Sequence, residues 1–180
     1  LSLGEFTALT AAGALSFDDA IKAVVRRATL MEEACVAQPG TMAAMMGLSE
    51  AQIVEVCAKA QTAGVVVPAN FNSGSQIAVS GSLAGVEEAV RVAKEMGAKR
   101  AIMLEVGGAF HSPLMAPAQA GMKEYLNQVT INSPRVPVVA NVTARPVTSP
   151  SQIRELLVSQ ITSPVKWSHT MAYLVSQGVT

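Results

Sequence analysis

Ser2 is placed where a nucleophile could act. It stands in the run Leu1-Ser2-Leu3-Gly4-Glu5-Phe6, which is similar to the second half of a nucleophile elbow. An elbow is a sharp strand-to-helix turn that exposes the serine Oγ and aims the next N–H, here that of Leu3, at the same space. Gly4 has no Cβ and lets such a turn close. A capped helix start, with Ser2 as N-cap and Glu5 three residues later, is the alternative that this run alone favours.

His111 is the candidate general base. It is one of only two histidines, and it follows Gly107-Gly108 and comes directly before a helix start at Ser112-Pro113. A helix N-terminus disfavours imidazolium, so the ring should stay neutral and able to accept a proton. The alternative is a loop histidine whose hydrogen bonds are purely structural. His169 lies on the polar side of a predicted helix, and we interpret it as a surface residue.

A candidate binding cation lies on a helix that Ser16 should cap. The predicted buried stripe of this helix recurs at spacings of three and four residues. Arg27 falls on the flank of the stripe and could face a cleft, whereas Arg26 points away from it and should be solvated. The stripe consists of Phe17, Ile21, Val24, Ala28, Met31 and Cys35.

Composition favours a compact globular protein and argues against several classes of partner. Half of the 180 residues are hydrophobic, and 13 basic residues balance 13 acidic ones, which leaves no net field for nucleic acid or an anionic membrane. No apolar run approaches the ~18 residues of a membrane span. Cys35 and Cys57 lie in apolar helical patterns without a C-x-x-C motif, which predicts two buried, reduced thiols and a reducing compartment.

The order of predicted elements between residues 40 and 106 is β-α-β-β-α-β. The predicted strands are at 42–46, 65–70, 76–81 and 100–106. The two predicted helices start after Ser49 and after Ser82. This order is typical of the split βαβ, or ferredoxin-like, unit, here inserted into something larger. Beyond it we predict a helix over 114–128, a strand over 136–142, and helices over 150–160 and 167–176.

Several segments together resemble the malonyl-CoA:acyl-carrier-protein transacylases of fatty-acid synthesis and the related acyltransferase domains of polyketide synthases. The resemblance extends along essentially all 180 residues. The matching segments are the elbow G-H-S-L-G-E, present as Leu1-Ser2-Leu3-Gly4-Glu5, the helical arginine Arg27, Asn70-Phe71-Asn72-Ser73, the run from Gly108 to Met115, and Gln160 before Pro164-Val165-Lys166-Trp167.

The resemblance implies a fold and a set of roles. The fold is α/β, with an α/β-hydrolase-like lobe formed by residues 1–39 and 107–180, an inserted ferredoxin-like lobe at 40–106, and a cleft between them. The implied roles are nucleophile for Ser2, base for His111, oxyanion donor for the Leu3 N–H, carboxylate binding for Arg27, a narrowed acyl pocket for Phe110, and orientation of the base by the backbone near Gln160.

The implied activity is transfer of a malonyl group from malonyl-CoA to the phosphopantetheine thiol of acyl carrier protein, through a malonyl-serine intermediate. The resemblance implies no metal and no bound cofactor. It also implies a cytoplasmic enzyme or one in a plastid or mitochondrial matrix. A thioesterase or esterase on the same elbow, and a non-catalytic binding module, are the alternatives.

The sequence also departs from the family pattern. Leu1 stands where the family has histidine, and the upstream G-Q-G segment and the downstream E-V-G-P-G segment lie outside the 180 residues. Because G-Q-G supplies the second oxyanion donor in the family, the resemblance implies that this chain alone can be inactive or poorly folded.

Overall fold

The computed structural model describes residues 1–179 and has a mixed α/β architecture with a small antiparallel sheet. Within that range no helix is long and apolar enough to cross a bilayer. The helices are α1 (Gly4–Ala11), α2 (Phe17–Ala37), α3 (Glu50–Ala60), α4 (Leu83–Glu95), α5 (Ala116–Leu126), α6 (Pro150–Ser159) and α7 (Trp167–Ser176). The strands are β1 (Thr41–Met46), β2 (Val66–Ser73), β3 (Gln76–Gly81), β4 (Arg100–Met103), β5 (Val138–Ala140) and β6 (Arg145–Val147).

Strands β1 to β4 form one sheet in the order β2-β3-β1-β4, with every neighbouring pair antiparallel. Helix α3 connects β1 to β2, and helix α4 connects β3 to β4. In the register, Met42 lies opposite Ser80, and Ala44 lies opposite both Ala78 and Ile102. Strands β5 and β6 form a separate two-stranded sheet.

The two faces of the larger sheet pack against different parts of the molecule, because successive side chains of a strand point to opposite sides. One face packs against α3 and α4, in a core to which β1 contributes Ala43 and Met45. The other face presents Met42, Ala69 and Ala78, which pack against Phe110. This second face therefore turns toward the rest of the molecule.

A second core joins α1, α2, α5 and α6 to β5 and β6. Its fully buried large side chains include Phe6, Leu9, Met122, Leu126 and Leu157. A short parallel bridge ties this part to the larger sheet, where the Phe71 N–H donates to the Val165 carbonyl at 2.9 Å and the Val165 N–H donates to the Ala69 carbonyl at 2.8 Å.

Helix starts agree with the sequence because caps depend on neighbouring residues only. Ser16, Ser49 and Ser82 each accept a hydrogen bond from the first turn of the helix that follows, as predicted. Ser112 does the same for the 3₁₀ turn Pro113–Met115, which leads directly into α5. The two cysteines are free and buried, which also confirms their predicted state.

The predicted stripe of α2 is wrong over its first half. Phe17 is 71% exposed and Ile21 is 49% exposed, and Ala28 also faces out. The buried residues of α2 include several small side chains: Ala20, Ala23 and Ala34, together with Arg27, Leu30, Met31 and Cys35. Alanines allow close helix contact, so the packed face is shifted away from the bulky residues that defined the predicted stripe.

Two strands were predicted too long and one was missed. The strand predicted over 100–106 ends at Met103. The Leu104 N–H still donates to the Met42 carbonyl of β1, but the Val106 N–H then donates to the Leu104 carbonyl, both at 2.9 Å, so the chain forms a tight turn there. The strand predicted over 136–142 is reduced to β5, whose partner β6 has only three residues. Strand β6 was not predicted because it is short, and its middle residue is Pro146.

We expect Ile53→Ala to lower the free energy of unfolding by about 2–5 kcal/mol, because Ile53 is fully buried between α3 and the sheet. The matched control is Val54→Ala, since Val54 is the next residue of the same helix and is 54% exposed; its effect should stay within about 0.5 kcal/mol. Urea denaturation measures both. Equal losses in the two variants would contradict this packing of α3.

Candidate active site

A cleft of about 450 Å³ brings together four residues that were predicted to form a site: Ser2, Arg27, Phe110 and His111. Ser2 precedes α1, Arg27 lies within α2, and Phe110 and His111 precede the 3₁₀ turn. The remaining lining residues are Ala28, Met31, Glu32, Met42 and Asn70. The second face of the sheet therefore supplies one wall of the cleft through Met42 and Asn70.

The Ser2 side chain does not cap α1. The N-cap position is occupied by Leu3, without a side-chain cap, so the capping-box alternative is wrong. The Ser2 hydroxyl instead accepts a hydrogen bond from Arg27 Nη2 at 2.6 Å. The Leu3 N–H belongs to the first turn of α1, where N–H groups have no acceptor within the helix. The Leu3 side chain itself is 52% exposed and lies outside the cleft.

The Arg27 guanidinium is buried beside Ser2 and has no acidic partner in the described part of the chain. The residue is 8% exposed, whereas Arg26 is solvated as predicted. Within residues 1–179 no carboxylate lies at salt-bridge distance, and the buried Nε has no hydrogen-bond acceptor. Burial lowers the pKa of Arg27, and the charge of Glu5 partly opposes that shift. Arginine still keeps its proton, so the cleft contains a fixed positive charge.

The position of His111 is fixed by its backbone conformation and by a hydrogen bond at one ring nitrogen. Its φ of 60° is left-handed, which is uncommon for a residue with a Cβ and is often found at functional sites. Ser112 stabilises this turn, since its Oγ donates to the Ala109 carbonyl at 2.6 Å. Of the two glycines before His111, Gly108 needs to be glycine because a Cβ there would overlap the Cys35 Sγ.

The protonation of the His111 ring follows from its contacts. Its Nδ1 lies 2.9 Å from the Gln160 carbonyl oxygen. A carbonyl only accepts, so Nδ1 carries the hydrogen and Nε2 keeps a free lone pair in the neutral ring. Burial lowers the pKa of His111 and the charge of Arg27 lowers it further, while the carbonyls of Gln160 and Ser163 oppose this. The neutral ring, able to accept a proton at Nε2, is therefore favoured.

Gln160 contacts Ser2, Glu5, Arg27 and His111 and is fully buried. Its Nε2 donates to the Ser2 carbonyl at 3.1 Å and to Glu5 Oε2 at 2.7 Å. Its Oε1 accepts a long hydrogen bond of 3.5 Å from Arg27 Nη2. Together with the carbonyl that faces His111, these contacts connect four segments of the chain.

Sequence reasoning missed two residues of this network, Glu5 and Asn141. Glu5 is 6% exposed, and its Oε2 accepts from the Asn141 backbone N–H at 3.0 Å and from Asn141 Nδ2 at 2.6 Å. Burial raises the pKa of the Glu5 carboxyl, and the donors from Asn141 and Gln160 partly offset this. A signal was available, because Glu5 shares its helix face with the buried Leu9 and Ala12.

The predicted site residues do not all contact one another. Over the described range 1–179, no hydrogen bond joins Ser2 to His111, although both line the cleft. His169 lies on the surface, as predicted, with its Nε2 3.2 Å from Glu50 Oε2. In the same range no group of three or more His, Cys, Asp and Glu side chains could hold a metal ion. The arrangement suits an uncharged serine nucleophile with a neutral histidine and an adjacent cation.

The chain is similar to several malonyl transacylases of known sequence or structure. The malonyl CoA-acyl carrier protein transacylase of Bacillus subtilis is 46% identical over 180 residues, which are 99% of this chain and 57% of the relative. The structure of the acyl-carrier-protein S-malonyltransferase of Burkholderia pseudomallei matches with a TM-score of 0.95 at 43% identity, over 99% of this chain and 58% of that one.

A type II polyketide malonyl-transacylase, solved in complex with its acyl-carrier protein, matches with a TM-score of 0.95 at 37% identity, over 99% of this chain and 58% of that one. The chain thus spans less than two thirds of the length of these relatives. The family described as acyl transferase domain matches residues 1–179. This chain, whose serine, histidine and arginine line one cleft, belongs to the acyl transferase domain family.

Proposed function

We propose that this chain transfers a malonyl group from malonyl-CoA to the phosphopantetheine thiol of acyl carrier protein, a step of fatty-acid biosynthesis. The observation that carries the proposal is the buried Arg27, which donates to the Ser2 Oγ at 2.6 Å and has no carboxylate partner among residues 1–179. A cation beside the nucleophile suits an acyl group that ends in a free carboxylate. The names of the relatives support the same substrate and acceptor.

In the first half-reaction the Ser2 Oγ attacks the thioester carbon while His111 Nε2 takes the hydroxyl proton. The His111 ring is prepared for this because its Nδ1–H is engaged by the Gln160 carbonyl. The tetrahedral oxyanion accepts from the Leu3 N–H. The carbon–sulfur bond then breaks, the proton on His111 passes to the departing thiolate, and malonyl-serine and coenzyme A result.

In the second half-reaction the phosphopantetheine thiol gives its proton to His111 and attacks the malonyl ester on Ser2. Collapse of the intermediate breaks the ester bond, and the proton returns from His111 to the Ser2 oxygen. A carbonyl stabilises the imidazolium less than a carboxylate would. That is sufficient here, because a thioester or ester is easier to cleave than an amide.

Two residues select the acyl group in this proposal. Arg27 binds the free carboxylate of the malonyl group through two parallel hydrogen bonds, a geometry that lysine cannot copy. Its buried Nε, which has no partner in the described chain, is available for one of them. Phe110 borders the same cleft and narrows it against a methyl branch. One methyl is worth only about 1–3 kcal/mol, so that discrimination is moderate.

We also propose that the fold divides into two lobes. Residues 40–106 form a ferredoxin-like lobe, and residues 1–39 and 107–180 contribute an α/β-hydrolase-like lobe. The β2-β3-β1-β4 order, with α3 and α4 as connections, supports the first assignment. The separate buried cores of the two parts support the division. The cleft then lies where the two lobes meet.

We further propose a cytoplasmic setting, with malonyl-CoA and acyl carrier protein as partners and neither nucleic acid nor membrane. Two free, buried cysteines suit a reducing compartment. The balance of 13 basic and 13 acidic residues provides no general attraction for polyanions.

Malonyl-CoA should leave a malonyl adduct on Ser2 that mass spectrometry of peptides detects, and Ser2→Ala should show none. The complete gene product that contains these residues is the protein to test. Added carrier protein with a free phosphopantetheine thiol should remove the adduct and gain the malonyl group. Release of free malonate instead would identify a thioesterase. A wild-type protein without any adduct would favour a binding module.

Arg27→Ala should lower malonyl transfer by roughly 30-fold or more, since losing one partner of a buried charge pair costs about 2–5 kcal/mol. Acetyl transfer, which needs no cation, should be kept or increase. Arg26→Ala is the matched control because Arg26 is the exposed neighbour on the same helix, and it should leave both rates unchanged. Equal losses with the two acyl groups would contradict a carboxylate-binding role.

The acylation rate of Ser2 should titrate with an inflection below pH 6.5. The reason is that burial and Arg27 lower the pKa of His111 below its ordinary value, so the ring stays unprotonated as the pH falls through 6.5. Rates measured from pH 5 to 8 with a serine-directed fluorophosphonate would show this. In Arg27→Gln the inflection should move to higher pH. An inflection above 6.5 in the wild type would contradict the assignment of His111 as base.

A further inference from the structure

The proposed mechanism makes no use of Glu5, although this side chain is costly to bury. Glu5 is 6% exposed, and within residues 1–179 no basic side chain lies within salt-bridge distance of its carboxylate. Three N–H donors converge on its Oε2 instead: the Asn141 N–H, Asn141 Nδ2 and Gln160 Nε2, at 3.0, 2.6 and 2.7 Å. A buried carboxylate that depends on neutral donors costs free energy that an apolar side chain of similar size would not cost.

The contact with Gln160 has a specific consequence. An amide side chain can place either its oxygen or its nitrogen toward a partner, but a carboxylate only accepts hydrogen bonds. Glu5 therefore requires Gln160 Nε2 on its own side, which leaves Gln160 Oε1 facing the Arg27 Nη2. The flipped amide would put its oxygen against the Glu5 carboxylate and its nitrogen against the guanidinium, and both contacts would be unfavourable.

Gln160 contacts both reacting residues, Ser2 through its side chain and His111 through its backbone. The same Nε2 that binds Glu5 donates to the Ser2 carbonyl at 3.1 Å. The Gln160 backbone carbonyl accepts a hydrogen bond from His111 Nδ1 at 2.9 Å. Glu5 is also only three residues from Ser2, at the start of α1. Its carboxylate thus ties the turn that carries the nucleophile to the residue that holds the base.

We propose that Glu5 is a positioning residue of the acyl-transfer site: its carboxylate anchors the Gln160 side chain in one orientation. The anchored side chain in turn fixes the placement of Ser2 and of the Gln160 backbone carbonyl that sets the tautomer of His111. The inference rests on the proposed function for its consequence on rate. Its structural part, the tautomer of His111, is independent of which acyl group is transferred.

The test compares two substitutions of Glu5 in the complete gene product. Glu5→Leu removes the acceptor, whereas Glu5→Gln keeps one acceptor oxygen without the charge. Glu5→Leu should lower the rate at which a fluorophosphonate labels Ser2 by roughly 10- to 100-fold, the range typical of partners that orient a reacting group. Glu5→Gln should recover most of that loss. Nitrogen NMR of His111, assigned from the signals missing in His111→Ala, should show less hydrogen on Nδ1 in Glu5→Leu than in the wild type.

A control separates positioning from general loss of stability. Ile53→Ala removes a fully buried side chain from the other core, so it destabilises the protein without touching Gln160. It should leave both the labelling rate and the His111 tautomer at wild-type values. If Glu5→Leu does not fold, Gln160→Leu replaces it. That variant removes the side-chain amide that anchors the backbone carbonyl of residue 160, so it should produce the same two changes.

The outcomes for this proposal and for the proposed function can be told apart. A Glu5→Leu protein whose His111 tautomer and labelling rate match those of Ile53→Ala would overturn the positioning role. A wild-type protein that forms no malonyl-serine would overturn the proposed function, yet a loss of Nδ1 hydrogen in Glu5→Leu would still support the role of Glu5.

Discussion

The site depends on the full burial of Gln160 at the end of α6. Its amide and carbonyl contact Glu5, Ser2, Arg27 and His111, which lie between 49 and 158 residues away in the sequence. Polar groups without access to water must find partners inside the protein. The positions of these three segments, around residues 2–5, 27 and 111, are therefore set by hydrogen-bond geometry around one residue, in addition to the packing of their apolar neighbours.

The positive charge in the cleft has two effects that support each other. Arg27 lies beside Ser2, where it can attract a carboxylate, and its charge lowers the pKa of His111. The cation that suits an acidic acyl group thus also favours the neutral base. Glu5 balances part of this charge from the opposite side of the Gln160 amide. Direct pairing of Glu5 with Arg27 would occupy the guanidinium that, in the proposed function, binds the acyl carboxylate.

The four-stranded sheet contributes to the cleft because its side chains alternate between its two faces. Neighbouring residues of β1 divide between the two faces, so that Ala43 packs in the core with α3 and α4 while Met42 lines the cleft. The backbone bridge between β2 and Val165 fixes this wall a few residues from Gln160. Asn70 takes part in that bridge and also lines the cleft, so it belongs to this wall.

The sequence by itself determined what depends on near neighbours or on a recognisable motif. The serine caps, the order of helices and strands in 40–106 and the candidates Ser2, Arg27 and His111 could all be predicted from it. Only the tertiary structure decided which face of α2 is buried, where the strands end, and that Glu5 lies in the site. The physical reason is that burial and strand pairing depend on partners from distant parts of the chain. A glutamate next to a helix start looks like a capping residue until the Asn141 and Gln160 donors are seen around it.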